Sequence, residues 1–177
     1  NFYMTCGAAA SLAITLKALV ESGNDEVIVI APYFPEYTSF IQNTGARKVE
    51  VPPDRKYFQI PFESLEKAIT TNTRILIINS PNNPSGAVYS EDTYRKLAAL
   101  LKIKSAEIGH PIYLIADEPY REIVYDGLPI LYVPKYYENT IICYSYSKSL
   151  SLPGERIGYI LVPPCVTDSA AVYTAIC

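Results

Sequence analysis

The stretch Ile112-Tyr-Leu-Ile-Ala-Asp117-Glu-Pro-Tyr120 decides the fold of this chain. Its first half is an unbroken apolar run of strand length, and its second half begins abruptly with two carboxylates. A strand without polar alternation is buried on both faces, as in a sheet covered by helices above and below. A carboxylate closing such a strand is costly unless paired, so Asp117 marks the sheet's rim as a place where something is held.

Working outward, the same construction recurs. Ile75–Ile78 runs into Asn79 and then Pro81-Asn-Asn83-Pro-Ser-Gly86, and Ile141–Tyr144 runs into Ser145-Tyr-Ser-Lys148. Further strands are predicted at Phe2–Thr5, Val27–Ile30, Lys48–Val51 and Ile157–Leu161. Amphipathic segments separate them. Ala8 to Glu21 carries Leu12, Leu16 and Leu19 on one face; Pro35 opens a second helix that ends before Gly45; Phe62 to Thr70 is a short third. A fourth opens at Ser90 as N-cap, with Glu91 and Asp92 at the positive end of its dipole. Its Tyr94, Leu97, Ala98 and Leu101 make a buried stripe before Gly109, and Ala170 to Cys177 reads as a last helix. The pattern is α/β: three layers, α/β/α, around a mostly parallel seven-stranded sheet.

Ligands of such sheets bind beyond the carboxyl ends of the strands. Cys6-Gly7, Tyr33-Phe34, Asn79–Gly86, Asp117–Tyr120 and Ser145–Lys148 all follow strands and converge on one rim if those strands run parallel. Arg156 instead precedes its strand. It reaches the same rim only if that last strand is antiparallel.

Bulk properties exclude other classes. The 177 residues suit one domain, and 49% hydrophobic with 19% charged residues is a globular composition. A net charge of -3 leaves no basic stripe for nucleic acid. No apolar stretch reaches the roughly 18 residues of a membrane span, and Asn1-Phe-Tyr-Met-Thr lacks the pattern of a signal peptide. Four cysteines, at 6, 143, 165 and 177, form no C-x-x-C pair, and His110 is the one histidine, so no metal site or disulfide framework is expected. They read as small buried residues of a protein in the reducing cytoplasm.

The rim residues bring an amine, an anion, a phenol, an amide and a guanidinium together, the set that holds and drives pyridoxal 5'-phosphate. Lys148 can condense with an aldehyde if a desolvated setting leaves it partly neutral. Asp117 can face a pyridine nitrogen and keep the ring cationic, a better electron sink. Gly7-Ala8-Ala9 opens a helix whose free N–H groups favour a phosphate, with Ser145 and Arg156 as further donors. Alone, most of these are bland: Asn-Pro starts turns, Gly7 can be a plain strand-to-helix turn, and Tyr120 is one of 16 tyrosines.

In order and spacing, Pro81-Asn-Asn-Pro-Ser-Gly86, Ala116-Asp-Glu-Pro-Tyr120 and Ser145-Tyr-Ser-Lys-Ser149 with Gly154-Glu-Arg-Ile-Gly-Tyr159 resemble the signature segments of the class I/II aminotransferases, fold-type I pyridoxal-phosphate enzymes. The resemblance covers nearly the whole chain, and it implies that residues 1–177 are the large cofactor-binding domain without the N-terminal arm and C-terminal small domain. It implies that Lys148 holds the cofactor and shuttles the substrate α-proton. Asn83 and Tyr120 would bond the ring's phenolic oxygen. Phe34 would stack on the ring, with neighbouring Tyr33 its competitor for the role and a core position the alternative for both. Ala8 stands where several members have a hydroxyl. The implied substrates are an amino acid, aspartate or aromatic, and a 2-oxo acid, and the implied assembly is a homodimer whose isolated piece transaminates poorly or not at all. Two alternatives share these residues: a lyase, decarboxylase or cyclopropane-forming enzyme on the same frame, and the effector domain of a transcription regulator. A third is a fragment that folds and no longer holds cofactor.

Overall fold

The computed structural model describes residues 1–177, and the apolar runs become one seven-stranded sheet. The strands are β1 (Phe2–Thr5), β2 (Glu26–Ile30), β3 (Arg47–Val51), β4 (Thr73–Asn79), β5 (Tyr113–Asp117), β6 (Thr140–Ser145) and β7 (Gly158–Leu161). The helices are α1 (Ala8–Leu19), α2 (Tyr37–Gln42), α3 (Phe62–Ala68), α4 (Glu91–Ile108), α5 (Tyr146–Ser149) and α6 (Ser169–Ile176). The spatial order is β1-β7-β6-β5-β4-β2-β3. Pairing is parallel from β3 through β6, while β7 runs antiparallel between β6 and β1. The antiparallel strand required by the position of Arg156 is therefore present.

Side-chain alternation along the strands sorts the core into two halves. Val27, Val29, Ile75, Ile77, Ile115 and Cys143 face one way and pack beneath Leu12 and Leu16 of α1, Ile41 of α2 and Val172 of α6. Ile28, Leu76, Ile78, Leu114 and Tyr144 face the other way, against Leu65 of α3 and Tyr94, Leu97 and Leu101 of α4. The predicted stripe of α4 is this contact. Its Ser90 side chain accepts the Thr93 N–H, and Gly109 closes the helix in the left-handed conformation.

Helix ends differ from expectation by local hydrogen bonding. Helix α1 stops at Leu19 rather than Glu21 because the Asp25 carboxylate accepts the Glu21 and Ser22 N–H groups. Helix α2 begins at Tyr37 rather than Pro35, after a turn in which Phe34 C=O accepts the Tyr37 N–H. Helix α3 ends at Ala68, before the Thr73 hydroxyl takes the Thr70 N–H. The cysteine expectation needs correcting: Cys143 alone is buried, while Cys6, Cys165 and Cys177 are exposed, since they sit in turns and at the chain end. No group of three or more His, Cys, Asp or Glu side chains is placed to hold a metal ion. No helix is long and apolar enough to cross a membrane.

Candidate active site

Strand register sets the floor of the site. Parallel pairing places Asn79, the last residue of β4, beside Asp117, the last of β5. Beyond these ends lies a cavity of about 290 Å³. Its walls carry Asn83 and Tyr120 on one side, Ser145 and Lys148 on another, and Phe34, Ala8, Ala9 and Arg156 around the rest. Nine of the ten residues expected from the sequence line this single cavity; Gly7 does not.

Gly7 has a different task. It caps α1 at φ 90°, and a Cβ there would lie 2.7 Å from Arg156 Nη2, so its missing side chain seats the guanidinium. Arg156 crosses from the loop before β7, donating from Nη1 to Pro153 C=O at 2.8 Å and from Nη2 to Cys6 C=O at 3.3 Å. Its remaining N–H groups, the first turn of α1 and Ser145 form the polar end of the cavity. Gly158 completes the crossing: a Cβ there would overlap Tyr144 C=O and lie 2.8 Å from Gly7 Cα.

Asp117 is buried at 4% exposure. Its Oδ2 accepts a 2.5 Å hydrogen bond from the Tyr37 hydroxyl. Its Oδ1 is buried with no partner at all. Burial pushes this carboxyl up to about 7, against the downward pull of the Tyr37 bond. Native structures rarely leave a buried carboxylate oxygen unpaired, and a ring N–H donor entering the cavity would satisfy it. The donor set thus fits pyridoxal 5'-phosphate: an unpaired acceptor, anion donors and an amine line one cavity. Burial also raises the Tyr120 phenol, with Asp117 adding and Asn83 opposing. A neutral phenol can donate to an ionised ring oxygen.

Lys148 sits on the single turn of α5, with Nζ 5.9 Å from the Tyr120 ring centroid. The residue is exposed, so the desolvated cleft expected around it is not formed by these 177 residues. Tyr33 and Phe34 point to different places. Tyr33 turns to the sheet edge, donating to Glu50 at 2.7 Å, while Phe34 lines the cavity.

Tyr37 escaped the sequence, while Asn79 and Ser147 stood in segments read as rim but were given no role of their own there. Tyr37 holds Asp117 from 80 residues away. Asn79 donates to Asp117 C=O at 2.8 Å and accepts the Asn83 N–H at 2.6 Å, locking two walls together. Ser147 lines the cavity and shares a 2.7 Å hydroxyl contact with Ser145. The placement of Asn79 at a strand end was a usable signal; Tyr37 gave none beyond lying three residues after Phe34.

Known proteins resemble this chain in sequence and in fold. A probable aspartate/prephenate aminotransferase of Thermus aquaticus is 36% identical over 95% of this chain and 42% of its own length. Aromatic-amino-acid aminotransferase 2 of Thermococcus litoralis is 30% identical over 98% and 45%. Among solved structures, an amino transferase from Eubacterium rectale superposes with a TM-score of 0.98 at 64% identity, covering all of this chain and 44% of that one. Aspartate aminotransferase from Thermus thermophilus with maleate gives 0.85 at 30% identity, covering 99% and 43%. The chain thus spans less than half the length of these relatives. Residues 2–175 match the family described as aminotransferase class I and II, and the chain belongs to that family.

Proposed function

We propose that residues 1–177 are the pyridoxal 5'-phosphate-binding domain of an aminotransferase that moves an amino group between an amino acid and a 2-oxo acid. One observation carries this reading: a buried carboxylate with a free oxygen, Asp117 Oδ1, at the floor of a cavity whose wall holds Lys148. When bound, the cofactor supplies an electron sink next to the substrate α-carbon. Asp117 would hold the ring nitrogen's proton while Tyr37 fixes the other carboxylate oxygen. Asn83 and Tyr120 would face the ring's phenolic oxygen, and Phe34 would cover a ring face. Arg156, Ser145 and the amide groups of Ala8 and Ala9 would hold the phosphate; Ala8 brings no hydroxyl, so backbone donors carry more of that contact. Lys148 would anchor the cofactor covalently and, once released, carry the α-proton. Names of relatives, aspartate/prephenate and aromatic-amino-acid aminotransferases, favour an acidic or aromatic donor. The cavity's one guanidinium, Arg156, is already engaged, so the group that grips a substrate carboxylate lies elsewhere in the active protein, which we expect to be a cytoplasmic homodimer.

The test is product analysis with the cofactor-loaded, full-length protein and a panel of aspartate, tyrosine and phenylalanine with 2-oxoglutarate. Formation of glutamate and the matching 2-oxo acid in equal amounts is expected. Release of ammonia or carbon dioxide without a new amino acid would move the protein to the lyases or decarboxylases.

A further inference from the structure

We propose that the Tyr144 hydroxyl is a positioning group that sets the spacing between Lys148 and Tyr120. Tyr144 lies near the end of β6 and points to the sheet face opposite Asp117. Its oxygen is 2.7 Å from the Ser149 hydroxyl and donates to Glu122 Oε2 at 2.9 Å. A phenol has one hydrogen and a carboxylate only accepts, so the order is fixed: Ser149 donates to Tyr144, and Tyr144 donates to Glu122. Ser149 follows Lys148 on α5, and Glu122 lies two residues beyond Tyr120. The two segments that carry the amine and the phenol are therefore tied to one atom below the cavity.

That atom is held firmly while the segments it joins are not. The Tyr144 ring is buried, stacks on Tyr159 at 4.9 Å and meets Tyr146 edge-on at 5.1 Å. In contrast, α5 is one turn long, with its closing bonds to Leu150 and Ser151 at 3.3 Å. The turn from Glu118 to Ile123 has two backbone bonds within it, at 3.4 and 2.8 Å, and one to β6, from Glu118 N–H to Cys143 C=O at 2.9 Å. Glu122 is steadied in turn by Arg121 Nε at 3.7 Å, and Arg121 Nη1 pairs with the buried Glu118 Oε2 at 3.2 Å. Few local bonds and a shared external tie make the two segments open together.

The test uses Tyr144→Phe, which keeps the stacked ring and removes only the hydroxyl, with Glu122→Ala and Glu122→Gln beside it. In the unliganded chain, amide hydrogen exchange in both 118–124 and 146–151 should speed up about three- to tenfold in Tyr144→Phe and Glu122→Ala. Glu122→Gln still accepts the phenol's hydrogen and should stay near wild type. Exchange unchanged in either segment overturns the proposal, as does acceleration in Glu122→Gln equal to that in Glu122→Ala. A second arm rests on the cofactor reading. Affinity for pyridoxine 5'-phosphate, which has no aldehyde, should be unchanged, while borohydride-fixed attachment of pyridoxal 5'-phosphate to Lys148 slows by the same factor. If wild type binds neither phosphate ester, the cofactor reading fails and the exchange arm still decides the role of Tyr144.

Discussion

Asp117 is kept where the fold alone would not keep a charge. Its folded value of about 7 lies above the ordinary 3.8, so the native chain holds a proton that the unfolded chain releases between those values. The stabilisation is complete below about pH 4 and lost as pH rises through about 7. Glu118, pushed up to about 7 by burial with Arg121 opposing, acts in the same direction. The thermal midpoint of the unliganded chain should therefore fall between about pH 5 and about pH 8. Asp117→Asn keeps the Tyr37 hydrogen bond and removes the charge; it should stabilise the chain at pH 8 by about 1–3 kcal/mol, flatten part of the slope and abolish cofactor function. Tyr37→Phe should cost about 1–3 kcal/mol at that pH, read by urea denaturation, because Asp117 then loses its one hydrogen bond. Asp117 was legible because a carboxylate closing an apolar run is expensive. Tyr37 was not, because its buried hydroxyl serves a residue far away in sequence, and its ring reads as ordinary core.

Element by element, strand interiors were legible and ends were not. Composition fixes the middle of a buried strand, whereas a helix end depends on which side chain takes over its last donors, as Asp25 does after α1. Ser90 was the exception, a cap readable from its own residue and the acidic pair behind it. Ser90→Ala should cost about 1 kcal/mol in urea denaturation with the fold unchanged. Gly158 is the contrasting case. Nothing in the sequence says that β6, β7 and the turn before α1 meet there. Gly158→Ala should destabilise by more than about 3 kcal/mol and loosen Arg156 from its seat on Gly7, seen as weaker phosphate binding.

Across the whole molecule, the sheet's one reversal was legible only through chemistry: apolar patterning cannot give strand direction, but an arginine placed before its strand could. The exposed side of Lys148 was not legible, because the sequence shows which residues reach the rim and not how much of the rim this chain covers. Edge strand β1 presents Phe2 and Met4 at 61% and 60% exposure. Unpaired strand edges with apolar side chains promote association, so sedimentation velocity should show concentration-dependent self-association that Met4→Lys reduces. On the proposed reading, this rim was built around pyridoxal 5'-phosphate with Lys148 as its anchor. Borohydride reduction of the chain with that cofactor, followed by peptide mass mapping, distinguishes a specific anchor from chance labelling. One modified lysine, Lys148, is expected, with no fixed label in Lys148→Ala; label scattered over surface lysines, with the fold intact by circular dichroism, would overturn the assignment.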